Sequence, residues 1–169
     1  GRREDDRLLT GQGRYTADWS LPGQFYGYFL RSDRAHARII SLNAADALKG
    51  PGVAGIFTGA DMKHYKTPPP QVKYPIKVPR RDILALERVR YVGQEIALVV
   101  ANSPAAAQDA AEKIEIDFED LPAVIDAAQA LEAGAPLLHD DVPGNLAATF
   151  EYGDEKRANL VVRIKGNGK

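Results

Sequence analysis

A chain of 169 residues with 44% hydrophobic and 27% charged side chains has the make-up of one globular domain, with or without a tail. Its net charge of −1 excludes a general attraction to nucleic acid, and its longest apolar run, Ile96–Ala101, falls far short of the roughly 18 residues of a membrane span. The lack of cysteine excludes disulfides, thiolate zinc sites and cysteine-held iron–sulfur clusters within this chain, and it fits a cytoplasmic location.

Residues 1–23 read as an extended N-terminal arm, 24–154 as the body of the domain, and 155–169 as a terminal strand or truncated linker. Pro22-Gly23 marks a turn, and the aromatic-rich stretch Gln24–Leu30 reads as the first strand. Ala37–Leu42 reads as the second. Asn43 then suits the N-cap of a short helix, Ala44–Leu48, which Gly50-Pro51-Gly52 ends. Val53–Phe57 gives a third strand, and Thr58–Asp61 at most one helical turn.

Lys63–Asp82 differs in composition. It holds Pro68, Pro69, Pro70, Pro75 and Pro79, with Lys63, Lys66, Lys73, Lys77, Arg80 and Arg81 against a single acid, Asp82. Proline removes backbone donors and fixes φ, so an extended loop is expected. Glu95–Ala101 follows as a strand buried on both faces, because its apolar residues hardly alternate with polar ones. Ser103 is the N-cap and Pro104 the first residue of a helix that sets Ala107, Ala110, Ala111 and Ile114 on one face, with Asp109 and Lys113 paired. The chain passes directly into a strand where Ile114, Ile116 and Phe118 alternate with acids. This spacing predicts a βαβ-like crossover on one sheet. A short helix over Ile125–Glu132 and a last strand over Leu160–Ile164 complete the reading. The expected class is α+β (mixed α/β): a mixed sheet, few short helices and one alanine-rich crossover helix. Gly1 at the start and a strand pattern so near the end lead to the expectation of a fragment.

The search for chemistry assigns no catalytic, cofactor-binding or metal residue. Gly11-Gln12-Gly13-Arg14-Tyr15-Thr16 is half a dinucleotide fingerprint, without the strand before and helix after that the motif requires. His36, His64 and His139 are scattered, with no metal-ligand spacing. His139 precedes Asp140 and Asp141, which read as a solvated loop; His36 reads as a hydrogen-bonded structural histidine. Asp109, Glu112, Glu115, Asp117, Glu119 and Asp120 read as the wet side of the helix and strand. Gly93 suggests a bulge or close backbone approach. The basic segment 63–81 offers an alternative function, a stand-alone module that holds an acidic protein or ligand.

The order of short motifs carries further. Arg3-Glu4-Asp5, Arg7-Leu8-Leu9-Thr10-Gly11, Gly13, Tyr15 and Asp18 together resemble the opening of the molybdopterin-binding large subunits of the xanthine oxidase family. Leu30-Arg31-Ser32, Ala35-His36-Ala37-Arg38-Ile39, Pro51-Gly52-Val53, Thr58 and Asp61 follow in family order. So do Val89–Gln94, Ala97–Ala101, Ala107 with Ala110-Ala111-Glu112, Phe118–Val124, Gly134-Ala135-Pro136 and His139-Asp140. The resemblance covers about residues 2 to 154, and departs from the family after Tyr152-Gly153-Asp154.

This resemblance implies an N-terminal α/β hammerhead domain of a xanthine, aldehyde or carbon monoxide dehydrogenase-like enzyme. The complete enzymes oxidise or hydroxylate a small carbon centre using water, with a glutamate as general base. They carry molybdopterin-molybdenum in the large subunit, and [2Fe–2S] clusters and FAD in partner subunits or domains. Most of those contacts lie in the C-terminal region of the family's subunit, so the implied role here is structural, with the C-terminal molybdopterin-binding domains and the iron–sulfur and flavin subunits as partners. The loop Arg81–Glu87 is the stretch expected to come closest to a substrate funnel.

Overall fold

The computed structural model describes residues 2–68, 71, 75–79 and 81–150. In chain order the elements are α1 (Asp5–Leu9), β1 (Tyr26–Arg31), β2 (Ala37–Asn43), α2 (Ala45–Leu48), β3 (Val53–Thr58), β4 (Arg88–Val89), β5 (Glu95–Ala101), α3 (Pro104–Ala111) and β6 (Glu115–Asp120). Single 3₁₀ turns lie at Thr16–Asp18, Gln129–Leu131 and Pro143–Asn145. Among the described residues the strands form two three-stranded sheets, ordered β1-β5-β3 and β4-β2-β6, and every pairing is antiparallel.

The α+β class expected from the sequence is what forms, with a correction to its wiring. The helix α3 does not cross over a single sheet. It leaves β5 in the first sheet and delivers the chain to β6 in the second. The residue patterns explain the change. β6 alternates acids with Ile116 and Phe118, and β2 offers the matching alternation, so Ile39 meets Phe118 and Leu42 meets Ile116 on the inward side.

The helix α3 forms where the sequence places it. Ser103 adopts extended backbone, its Oγ accepts from the Ala106 N–H at 3.2 Å, and Pro104 opens the first turn. A side-chain bond on this helix runs from Gln108 Nε2 to Glu112 Oε1. Its alanines Ala107, Ala110 and Ala111 pack on Ala97, Val99 and Ala101 of β5, all buried, with Ala47 of α2 and Ile114 closing the cluster. Small side chains bring helix and sheet close but bury little area each, at about 25 cal/mol per Å². The N-cap of α2 is Ala44, not the expected Asn43, and it has no side-chain cap; Asn43, the last residue of β2, instead accepts at its Oδ1 from the Ala45 N–H at 3.1 Å.

A second cluster joins Ala37, Ala85, Val89 and Ile96, with Ile39, Leu42, Ile116 and Phe118 against it. Ile96 reaches it because the β1–β5 register shifts between Leu30 and Arg31, leaving Ile96 without a partner in β1. Leu42 and Ile116 touch both clusters, so the two cores are continuous.

Among the described residues nothing covers the other face of the first sheet. Gly27, Val100 and Gly55 form one cross-strand row on it, and Phe29, Leu98 and Phe57 the next. The two phenylalanines are each 43% exposed. β5 was expected to be covered on both faces, and within the described residues only the helix side is closed.

The helix expected over Ile125–Glu132 is reduced to the turn Gln129–Leu131. Asp126 Oδ1 accepts from the Ala128 and Gln129 N–H groups, but Ile125, 91% exposed, has no core to meet. Without a buried stripe, alanine propensity alone does not sustain so short a helix. The strand expected at Leu160–Ile164 lies outside the described residues.

Candidate functional site

The segment Arg81–Glu87, the expected funnel loop, is the seam between the sheets. The Ala85 N–H donates to Glu95 O at 2.8 Å in the first sheet, and Glu87 O accepts from the Ile39 N–H at 2.8 Å in the second. Leu84 and Ala85 are buried, whereas Arg81 and Ile83 face outward. The seat needs Gly59: a Cβ there would stand 2.3 Å from Ala85 O and 2.8 Å from Leu86 Cα. Upstream, Arg81 O accepts from the Thr67 N–H and Oγ1, and Lys66 pairs with Asp82. The basic segment is therefore tied back at this end, and the Lys77 N–H donates to Ala147 O at 2.8 Å further along.

Beside the seam, the turn Tyr91–Gln94 carries the Gly93 singled out from the sequence. Its φ of +90° explains the glycine, since a Cβ would meet nothing within 4 Å. Arg31 Nη1 donates to Gly93 O at 2.8 Å and to Glu95 Oε1 at 2.6 Å. Glu95's carboxyl lies below its usual range through a hydrogen bond from its own backbone N–H, with Arg31 adding to the effect. Asp61 is lowered in the same way by the Thr58 N–H and hydroxyl.

The histidines take different places. His36 is buried; its Nδ1 lies 2.9 Å from Pro122 O, which can only accept, so Nδ1 carries the proton. Its Nε2 is buried without a partner among the described groups. His139 lies half-buried in a loop strapped to the β4 region, where Arg90 Nε donates to Leu138 O at 2.7 Å and Arg88 pairs with Asp140 at 3.4 Å. Burial, then the Arg90 charge, pushes its imidazole below the ordinary value, against the pull of Asp141 and Asp140. His139-Asp140 is thus a clamped loop, more enclosed than the solvated one expected.

The acids of β6 face the second sheet's outward row. Ser41 Oγ donates to Asp117 at 2.6 Å, Asn43 to Glu115 at 3.4 Å, and Arg38 pairs with Glu119 at 3.5 Å. The wet side read from sequence is correct, and its β2 partners were not legible there. Around Gly11–Arg14 the short α1 precedes and a 3₁₀ turn follows, so the dinucleotide context does not form. Among the described residues no group of three or more His, Asp or Glu is placed to hold a metal ion. With no cysteine in the chain, a cysteine-held iron–sulfur cluster has no ligands here. What they do is fix segments against one another.

Residues 10–122 match the family described as aldehyde oxidase and xanthine dehydrogenase, a/b hammerhead domain. The chain belongs to this family. It is 39% identical over 166 residues to the carbon monoxide dehydrogenase large chain of Afipia carboxidovorans, covering 96% of itself and 19% of that relative. The hammerhead architecture superposes on quinoline 2-oxidoreductase from Pseudomonas putida 86 with a TM-score of 0.72 at 44% identity, over 79% of this chain and 17% of that one. A Cu,Mo-CO dehydrogenase matches with a TM-score of 0.71 at 38% identity, over 84% of this chain and 18% of the other. This hammerhead chain thus corresponds to a small part of large molybdenum-enzyme subunits. No helix among its described residues is long and apolar enough to cross a membrane.

Proposed function

We propose that this hammerhead chain is an N-terminal structural and assembly domain of a cytoplasmic molybdenum hydroxylase, and that the reacting centre is housed in other parts of that enzyme. The carrying observation is the seam: the segment with the best claim to chemistry, Arg81–Glu87, spends its backbone groups on joining two sheets. The match of the chain to under a fifth of a large relative supports the same reading. Its partners would be the molybdopterin-binding remainder of a large subunit, and through it the iron–sulfur and flavin components. In the complete enzyme, molybdopterin-molybdenum supplies the oxidation; the residues here supply rigidity and a packing surface. The alternative of a binding module built on the basic segment finds less support, because Lys66 is already engaged by Asp82.

The test is to purify the chain and assay it for bound molybdenum and pterin, and for dye reduction with purines, aldehydes and carbon monoxide. No cofactor and no turnover are expected. Cofactor retained at one per chain, or turnover with any of these substrates, would overturn the proposal.

A further inference from the structure

Among the described residues the open face of the first sheet is apolar: its two central rows hold no charged residue, and only the Arg31 guanidinium, 5.7 Å from the Phe29 ring centre, reaches over their edge. Phe29, Leu98 and Phe57 make a ridge, and Gly27, Val100 and Gly55 make a trough beside it. Two observations indicate a covered face. β5 has the sequence of a strand with both sides in a core: Ala97, Val99 and Ala101 are buried by α3, yet Leu98 and Val100 on the opposite side are equally apolar and only partly buried. A half-solvated antiparallel strand would alternate with polar residues there. The glycines are the second observation. Glycine weakens a strand interior and recurs where another backbone approaches closely. Here two stand on either side of Val100 in one row, neither with a positive φ; a Cβ on Gly27 would press on Leu98 Cδ1 at 3.2 Å, and Gly55 follows the register shift after Val53, so it is Gly55 that the packing leaves unexplained. A Cβ on Gly55 would meet only the Phe57 ring at 3.6–3.7 Å, so the chain's own packing does not demand that glycine.

We infer that this face is a docking surface for an uncharged, apolar layer of the molybdenum-binding part of the large subunit, whose backbone lies along the Gly27–Val100–Gly55 trough. This rests on the proposed function above. The length of the relatives supplies the occupant, since the chain spans 17–19% of those matched over most of its length and the rest of each has to pack somewhere. The chemistry selects the face. The second sheet's outward row is already occupied by its own ion pairs and hydrogen bonds, whereas the ridge and trough carry no polar side chain for water to solvate. At the rim, Arg31 and Glu95 neutralise each other, so an uncharged partner meets no unpaired charge there.

The experiment puts this chain in place of the matching segment in a relative's complete large subunit. Phe57→Ser and Gly55→Leu are introduced separately, with Ser41→Lys on the second sheet as control. All three are first melted in the 169-residue chain alone, where each should stay within a few degrees of the parent; if one unfolds, the other face variant decides. The unsubstituted chimera and the control are expected to assemble and retain molybdenum, and both face variants to lose assembly. If the chimera assembles and the face variants do so equally, the inference is overturned while the proposed function stands. If the unsubstituted chimera fails to assemble, the proposed function falls and the inference with it. A dimer of the chain alone that Gly55→Leu disrupts would name a second copy as the occupant and overturn the inference as stated.

Discussion

The two sheets have the same number of strands and the same antiparallel pairing, but they finish their outward faces by different means. In the second, Arg38 faces Glu119, Ser41 faces Asp117 and Asn43 faces Glu115, so each polar group has a cross-strand partner and water completes the rest. The acids of β6 also discourage further pairing at that edge. In the first, the equivalent rows carry phenylalanine, leucine, valine and glycine. The contrast teaches that one sheet is completed by solvent and the other only by another layer. It also shows why the inner core relies on fit: alanine against alanine leaves little tolerance for a misplaced methyl group.

Substitutions can break or sharpen that contrast. The largest effect is expected at the seam on which both sheets depend. Gly59→Val, driving a side chain into Ala85 O, should cost about 3 kcal/mol in urea denaturation. Next, Val99→Ala should cost about 2 kcal/mol by opening a cavity under α3, and Val100→Ala on the open face should cost less than half as much. Equal losses would contradict the one-sided core. Ser103→Ala, which removes the cap of α3, should cost about 1 kcal/mol in the same assay.

A smaller effect should appear in the pH dependence. His139 in the folded chain titrates below its ordinary value of 6.5, so on acidification the unfolded chain takes up its proton first. Its contribution is therefore flat above about pH 6.5 and is lost as pH falls from there to the folded value. Glu95 and Asp61 act in the opposite sense of charge but the same direction of pH. Their lowered carboxyls stabilise the fold above their ordinary values of 4.5 and 3.8, and that support goes only in stronger acid. Thermal melts from pH 8 to 5 should show a shallow decline beginning near 6.5 that His139→Gln removes. The smallest effect belongs to the exposed pair Arg38–Glu119. A double-mutant cycle there should give about 0.5 kcal/mol or less, diminishing with salt.

Much of the fold was legible because local rules and tertiary packing agree. Ser103-Pro104 marks the start of α3, and the alanine spacing gives its buried face. The strands β1, β2, β3, β5 and β6 fall within one or two residues of their expected bounds. Strand partnership was less visible, because it depends on matching faces distant in sequence: nothing near Ile116 and Phe118 points to Leu42 and Ile39. The 125–132 stretch misled because its composition favours a helix while its surroundings provide nothing to pack against. At the candidate site, the sequence singled out 81–87 but not what it does. Its role lies in two backbone hydrogen bonds, and these leave no trace in side-chain type. Asn145 shows the same limit: it holds Ala130 O and Pro136 O and accepts from the Leu138 N–H, a hub that no spacing announces.

Because Ala85 is a rung of one ladder and Glu87 a rung of the other, neither sheet can peel away without loosening its neighbour. Opening at either end is felt across three residues of backbone. Amide exchange in the central strands β2 and β5 should therefore converge on one rate, the signature of a single cooperative unit that yields all at once.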